Sequence, residues 1–148
     1  MSNPDFAIRA YDPATDEGFV MSSFLRGLRE SPGTSVVENA VFFRFFQAAM
    51  ANILASATTL VAHVPGQPTD LCGYVVFAPT PDRLFWVYTK RAFRRLGCAR
   101  YLFEASGLSK DLLTPFKPQP WVRDIAKAHG ITVRVNPYLM ISYSAGRS

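Results

Sequence analysis

Two hydrophobic rhythms alternate along the chain, and their order predicts a domain of mixed strands and helices. Phe6-Ala7-Ile8-Arg9-Ala10-Tyr11 alternates apolar and polar positions, the period of a strand with one covered face. Asp12-Pro13 opens a turn, and Thr15 or Asp16 is placed to cap a helix running to about Glu30. Phe19, Val20, Phe24, Leu25 and Leu28 form its apolar stripe. Ser31-Pro32-Gly33-Thr34 breaks the chain, and Ser35 with Glu38 has capping-box spacing, so a second long helix is expected from there. That helix carries Val37, Val41, Phe45 and Ala48 on one face, with Phe42, Phe46 and Ile53 nearby. Its four phenylalanines within Phe42–Phe46 wrap more than one face, so a deep core helix is expected, with an exposed contact surface as the other reading.

Thr58 to Val64 and Leu71 to Phe77 read as two strands of an antiparallel hairpin, joined by the turn Pro65-Gly66-Gln67-Pro68-Thr69-Asp70. A third strand, Arg83 to Thr89, follows Pro79-Thr80-Pro81-Asp82. A helix is expected from Cys98 to about Ser106. Leu112-Leu113-Thr114-Pro115 reads at most as a short strand, because Pro115, Pro118 and Pro120 favour a loop beyond it. Trp121 to His129 forms a helix closed by Gly130, followed by a strand from Ile131 to Val135. Tyr138-Leu139-Met140-Ile141 would continue that strand past Pro137, and the small polar residues from Ser142 to Ser148 are expected to fray.

A length of 148 residues, half of them hydrophobic, fits one domain over 1–148 with a core that needs no disulfide framework or structural metal. Cys72 and Cys98 lack metal-ligand spacing, so no metal is expected, and such sparse cysteines suit a reducing cytoplasm. The N-terminus has no signal-peptide pattern. The most apolar run, Val36 to Ala57, is broken by Glu38, Asn39, Arg44, Gln47 and Asn52, and so does not resemble a membrane span of about 20 uninterrupted apolar residues.

Charge changes the picture most. The net charge is +5, and five basic side chains fall between Lys90 and Arg100 with no acid among them. Here an apolar strand, Trp86-Val87-Tyr88-Thr89, runs into a basic turn and then a small-residue helix start at Gly97-Cys98-Ala99. The first amides of a helix lack intrahelical acceptors, and the helix dipole adds partial positive charge, so such a turn can hold a pyrophosphate. Gly97 and Ala99 let the backbone approach an anion, and Arg91, Arg94 and Arg95 are near enough to neutralise it.

Arg94-x-x-Gly97-x-Ala99 after a strand resembles the acyl-CoA-binding loop of the GNAT superfamily of N-acyltransferases, written Q/R-x-x-G-x-G/A. The element order (strand, two helices, three antiparallel strands, then loop and helix) is similar to the first half of that fold. The resemblance implies an α+β domain: a central mixed, mostly antiparallel sheet flanked by helices. It implies acetyl-CoA or CoA as cofactor, with its pantetheine arm along Trp86, Val87 and Tyr88. Its pyrophosphate would lie against Arg91, Arg94, Arg95 and the amides of Leu96, Gly97, Cys98, Ala99 and Arg100. The acceptor would be an amine, in a groove bordered by the first two helices. Domains of this fold often pair, so a homodimer is open. The chain is also similar to the compact, degenerate GNAT-like proteins of bacteriophages, including its Asn136-Pro137-Tyr138-Leu139 ending.

The catalytic chemistry is thinner. Neither Leu84–Thr89 nor Leu71–Ala78 carries the glutamate that family members often use as a base. Aligning Gly130-Ile131 with the family's Y-E-K-x-G-F pattern puts Ala126 where the proton-donating tyrosine would fall. Tyr138 is taken as the substitute, ahead of Tyr88, Tyr101 and His63. Cys98 as a nucleophile is set aside, since no histidine lies nearby in sequence and its place in the motif is a packing position. The second reading is therefore a CoA-binding protein that acts by gripping a protein partner. Nucleic-acid binding through the turn, with Phe93 and Tyr101 as stacking faces, is disfavoured because the basic residues cluster at one loop rather than over a face.

Overall fold

The chain begins its regular structure with a short strand, β1 (Ala7–Ala10), locked to the helix that follows, α1 (Pro13–Arg29). In the computed structural model, residues 5–30, 38–79, 82–108, 111–116, 118 and 120–139 are described. Asp12, not Thr15 or Asp16, caps α1: its side chain accepts from the Ala14 amide at 3.0 Å. The physical reason is Pro13, which has no N–H to waste and fits the first helical position. Asp16 instead turns inward, 1% exposed, and accepts two bonds from the Arg9 guanidinium at 2.7 and 2.8 Å.

The second helix, α2 (Asn39–Ser56), starts without a side-chain cap at Glu38. The capping Ser35, the break from Ser31 to Thr34, Val37, Thr80, Pro81 and the chain from Met140 onward lie outside the described residues. The buried stripe of α2 is Phe42, Ala49, Met50 and Ile53, at i, i+7, i+8 and i+11. The expected stripe through Val41 and Phe45 is thus rotated by one position. Val41, Phe43 and Phe45 are exposed, so the deep-core reading of this helix holds for one face only.

Strands β2 (Thr58–Val64), β3 (Gln67–Pro79), β4 (Asp82–Thr89), β5 (Leu112–Thr114) and β6 (Val133–Val135) join β1 in one sheet, in sequence order. The first three pairings are antiparallel and the last two parallel, giving the mixed, mostly antiparallel sheet expected. The β2–β3 turn is tighter than expected: only Pro65-Gly66 turns, with Gly66 at φ +79°, and Gln67 to Asp70 already belong to β3. Beyond β6, Pro137–Leu139 form a 3₁₀ turn instead of more strand. Proline offers no N–H to a ladder, and the Asn136 carbonyl and side chain take up the amides of Leu139 and Tyr138.

Helices cover both sheet faces. On one side α1 and α2 bury Phe24, Phe42 and Met50 over Tyr74, Val76 and Trp86. On the other, α3 (Cys98–Ser106) and α4 (Pro120–Ala128) bury Leu102, Phe103 and Val122 over Val75, Leu84 and Val87. Two irregularities shape the site. Val76 pairs with Trp86 and Phe77 with Leu84, which leaves Phe85 as an extra residue in β4. Then β4 meets β5 at a single register position, Arg83 opposite Leu113. From Leu84 to Thr89, β4 has no sheet partner on its β5 side among the described residues.

Candidate cofactor cleft

The cleft lies where β4 runs out. The Lys90 amide still bonds to the Cys72 carbonyl at 2.8 Å, and then Arg91–Phe93 wind one 3₁₀ turn. Arg95 and Gly97 both take the left-handed conformation, at φ +68° and +86°. Glycine does so freely; an arginine does so at a cost of roughly 1–2 kcal/mol. The reversal sets Gly97 as the residue before α3, with no side-chain cap, and the first backbone bond onto it is Tyr101 N–H to Gly97 carbonyl at 2.9 Å. The amides of Cys98, Ala99 and Arg100 are therefore left without intrahelical acceptors. Arg94 is braced from below: its Nε donates to the Thr89 carbonyl at 3.2 Å, which leaves its outer nitrogens for a ligand.

Around this turn opens a cleft of about 660 Å³, lined by Thr89, Phe93, Arg94, Arg95, Gly97, Cys98, Ala99 and Arg100 on one side and by Trp121, Asp124 and Ile125 of α4 on the other. Six of the residues expected at the cofactor thus come together. Arg91 and Leu96 are exposed in the same turn but do not line the cleft. Trp86 and Val87 line a separate crevice of about 20 Å³ between β4 and the end of β5, with Thr114, Phe116 and Val122. Tyr88 turns the other way and packs edge-on against Phe19 and beside Tyr74. Lys90 leaves the basic group too, its ammonium 5.0 Å from the Phe19 ring centre.

Tyr138 is 77% exposed in the turn after β6 and lines neither opening. His63 holds the Val64 carbonyl at 2.9 Å, while His129 sits between the Ile125 carbonyl and Glu104. Cys98 is buried at the cleft floor. Burial pushes its thiol up to about 12, the neighbouring Cys72 adds to the shift, and contact with the Thr89 hydroxyl opposes it. A thiol held protonated in this way packs and does not attack.

The α4 wall escaped the sequence reading. Its signal was present: Trp121, Asp124 and Ile125 at i, i+3 and i+4 share one helix face. Asp124 is the one carboxylate among the described residues that line the cleft, and no salt bridge ties it to the arginines opposite. In addition, Trp86 Nε1 is buried without a hydrogen-bond partner among the described residues, beside the crevice where β4 and β5 part. Among those residues no three His, Cys, Asp or Glu side chains form a group able to hold a metal ion, and no helix is long and apolar enough to cross a membrane.

No protein-family model and no curated protein matches the sequence. Solved structures are similar to it in chain path. A ribosomal-protein-alanine N-acetyltransferase from Brucella melitensis biovar Abortus 2308 is 15% identical over 88% of this chain and 80% of its own, with a TM-score of 0.45. An acetyltransferase of the GNAT family from Staphylococcus aureus Mu50 is 11% identical over 93% and 78%, with a TM-score of 0.46. A Salmonella typhimurium protein solved with its cofactor acetyl-CoA is 17% identical over 95% and 75%, also at 0.46.

Proposed function

We propose that this chain is a GNAT-type N-acetyltransferase that binds acetyl-CoA and passes the acetyl group directly to an amine. One observation carries the reading: the basic cleft at the start of α3, which reaches at Thr89 a strand that has no β5 partner from Leu84 to Thr89 among the described residues. The residues fit the group. A pyrophosphate needs several donors and positive charge in a small space, and the amides of Cys98, Ala99 and Arg100 with the side chains of Arg94, Arg95 and Arg100 supply both. The cleft meets β4 at Thr89, and the strand from Leu84 onward would take an extended amide-bearing arm only once the crevice of about 20 Å³ beside it widens.

When bound, the cofactor supplies an activated thioester carbonyl. The protein's part is to hold that carbonyl and the amine together, which alone accounts for much of a transfer rate. Neither Leu71–Ala78 nor Leu84–Thr89 carries a carboxylate. An amine that enters neutral would form the amide as the thioester C–S bond breaks, and the proton its nitrogen loses would pass through solvent to the departing thiolate.

A second reading is favoured by the exposed Val41, Phe43 and Phe45 on α2: a chain that holds CoA and acts through a protein partner. Thermal melting with CoA and acetyl-CoA, followed by thiol release with a panel of amines, tests both. The expected result is a rise in Tm with either compound, abolished in Gly97→Glu, whose side chain and charge would occupy the pyrophosphate position. No rise at millimolar ligand overturns both readings. A rise with no thiol release for any amine overturns the enzyme and leaves the binder.

A further inference from the structure

The two walls of the cleft differ in chemistry. The α3 wall presents arginines and open amides; the α4 wall presents an indole, an aliphatic side chain and one carboxylate. A carboxylate accepts hydrogen bonds and repels phosphate, so a ligand group that lies against Asp124 is favoured if it is a donor. Trp121 and Ile125, one turn of helix apart on the same face, give that donor a flat apolar surface to lie on. A ligand that satisfies both walls at once carries a pyrophosphate joined through a sugar to a flat, amine-bearing ring. We propose that Asp124 is a specificity-determining residue that accepts a hydrogen bond from the exocyclic amine of the cofactor's adenine, with the ring against Trp121.

The inference rests on the CoA reading of the cleft and deepens it. Asp124 is separate from the pyrophosphate loop: it stands on α4 and makes no ion pair with Arg94, Arg95 or Arg100. Its charge disfavours a phosphate directly against it, and so favours one direction for the nucleotide, pyrophosphate toward Gly97 and base toward Trp121. The carboxylate is solvent-exposed, so the bond it makes is worth a modest factor in affinity.

The test is a double comparison by calorimetry, using CoA and a CoA analogue whose adenine 6-amino group is replaced by hydrogen, against the wild-type protein, Asp124→Asn and Asp124→Ala. The wild type should bind CoA about threefold to tenfold more tightly than the analogue, a charge-assisted bond discounted for exposure. Asp124→Ala should lose that preference and bind both compounds alike. Asp124→Asn, which can still accept through its amide oxygen, should keep part of it. Wild-type binding of CoA without any preference, or a preference that survives in Asp124→Ala, overturns the inference and leaves the CoA reading standing. Failure of the wild type to bind either compound overturns the CoA reading itself. Far-ultraviolet circular dichroism of each variant confirms that the exposed substitution leaves the fold in place.

Discussion

Arg95 holds a left-handed conformation that its own side chain resists, and replacing it by glycine separates the cost of that strain from its use. At φ +68°, a residue with a Cβ costs about 1–2 kcal/mol relative to glycine in the folded chain. Glycine gives back roughly 0.5–1 kcal/mol through the greater freedom of the unfolded chain. Arg95→Gly should therefore stabilise the protein by roughly 0.5–1 kcal/mol, a rise in Tm of about 1–4 °C for a domain of this size. The same change removes a guanidinium from the cleft lining. An exposed charge contact of this kind is worth up to ~1 kcal/mol, so CoA affinity should fall about twofold to fivefold at low salt, and less as salt screens it. Stability by scanning calorimetry and affinity by titration calorimetry at two ionic strengths read the two effects separately. Arg44→Ala, the loss of one positive charge on α2 far in sequence from the turn, controls for net charge and should leave affinity within about twofold. A fall in Tm for Arg95→Gly would refute the strain argument. A rise in Tm with unchanged affinity would refute the place given to this guanidinium at the ligand.

The Arg9–Asp16 pair ties β1 to α1. Burial pushes the Asp16 carboxyl up, but bonds from Arg9, the Asp12 amide and Thr15 outweigh it and hold the group below the usual carboxylate value. Its contribution is therefore complete above the unfolded value near pH 4 and is lost as pH falls through the lowered folded value. Asp16→Asn should destabilise by somewhat less than the ~3–5 kcal/mol of a fully buried pair, because Arg9 keeps contact with solvent. It should also flatten the acid limb of a pH–stability curve measured by urea unfolding; an unchanged acid limb would count against the pair. At Gly27, an added Cβ would stand 2.5 Å from Cζ2 of Trp86, a ring stacked on Phe24 at 5.1 Å. Gly27→Ala should cost a net ~1 kcal/mol, up to ~2, since overpacking of ~1–3 kcal/mol is set against the ~1 kcal/mol that alanine gains in a helix. Equal or higher stability would mean that the indole moves aside at no cost. Finally, Cys98 should resist alkylation at pH 8 in the native protein and react once unfolded, and rapid native labelling at Cys98 would reopen the covalent route.

The strand and helix order was legible because each element carries its own period, and the helix expected from Cys98 to about Ser106 is α3. Errors arose where a local rule met tertiary packing. The Thr15 and Asp16 caps were plausible side chains, but Pro13 had already set the first turn, and Asp16 was committed to Arg9. In α2, apolar residues on every side leave the buried face undetermined by pattern, and the sheet chose Phe42 over Val41 and Phe45. At the cleft, the contiguous loop was legible because its chemistry sits in one stretch of chain. Trp121 and Asp124 arrive from a helix more than twenty residues later, so no spacing rule could join them to Gly97. Conversely, Lys90 and Tyr88 are neighbours in sequence that the strand sends to the opposite sheet face, toward Phe19.

The single pairing between Arg83 and Leu113 divides the sheet into a four-stranded antiparallel piece and a two-stranded parallel piece, joined along a seam. A guest laid along that seam supplies the strand contacts that β5 withholds, and so becomes part of the protein's own architecture. Folding and occupancy would then be coupled: a cofactor bound there would stiffen β5, α4 and β6 together, and their amide exchange would report its arrival at a distance from the atoms it touches.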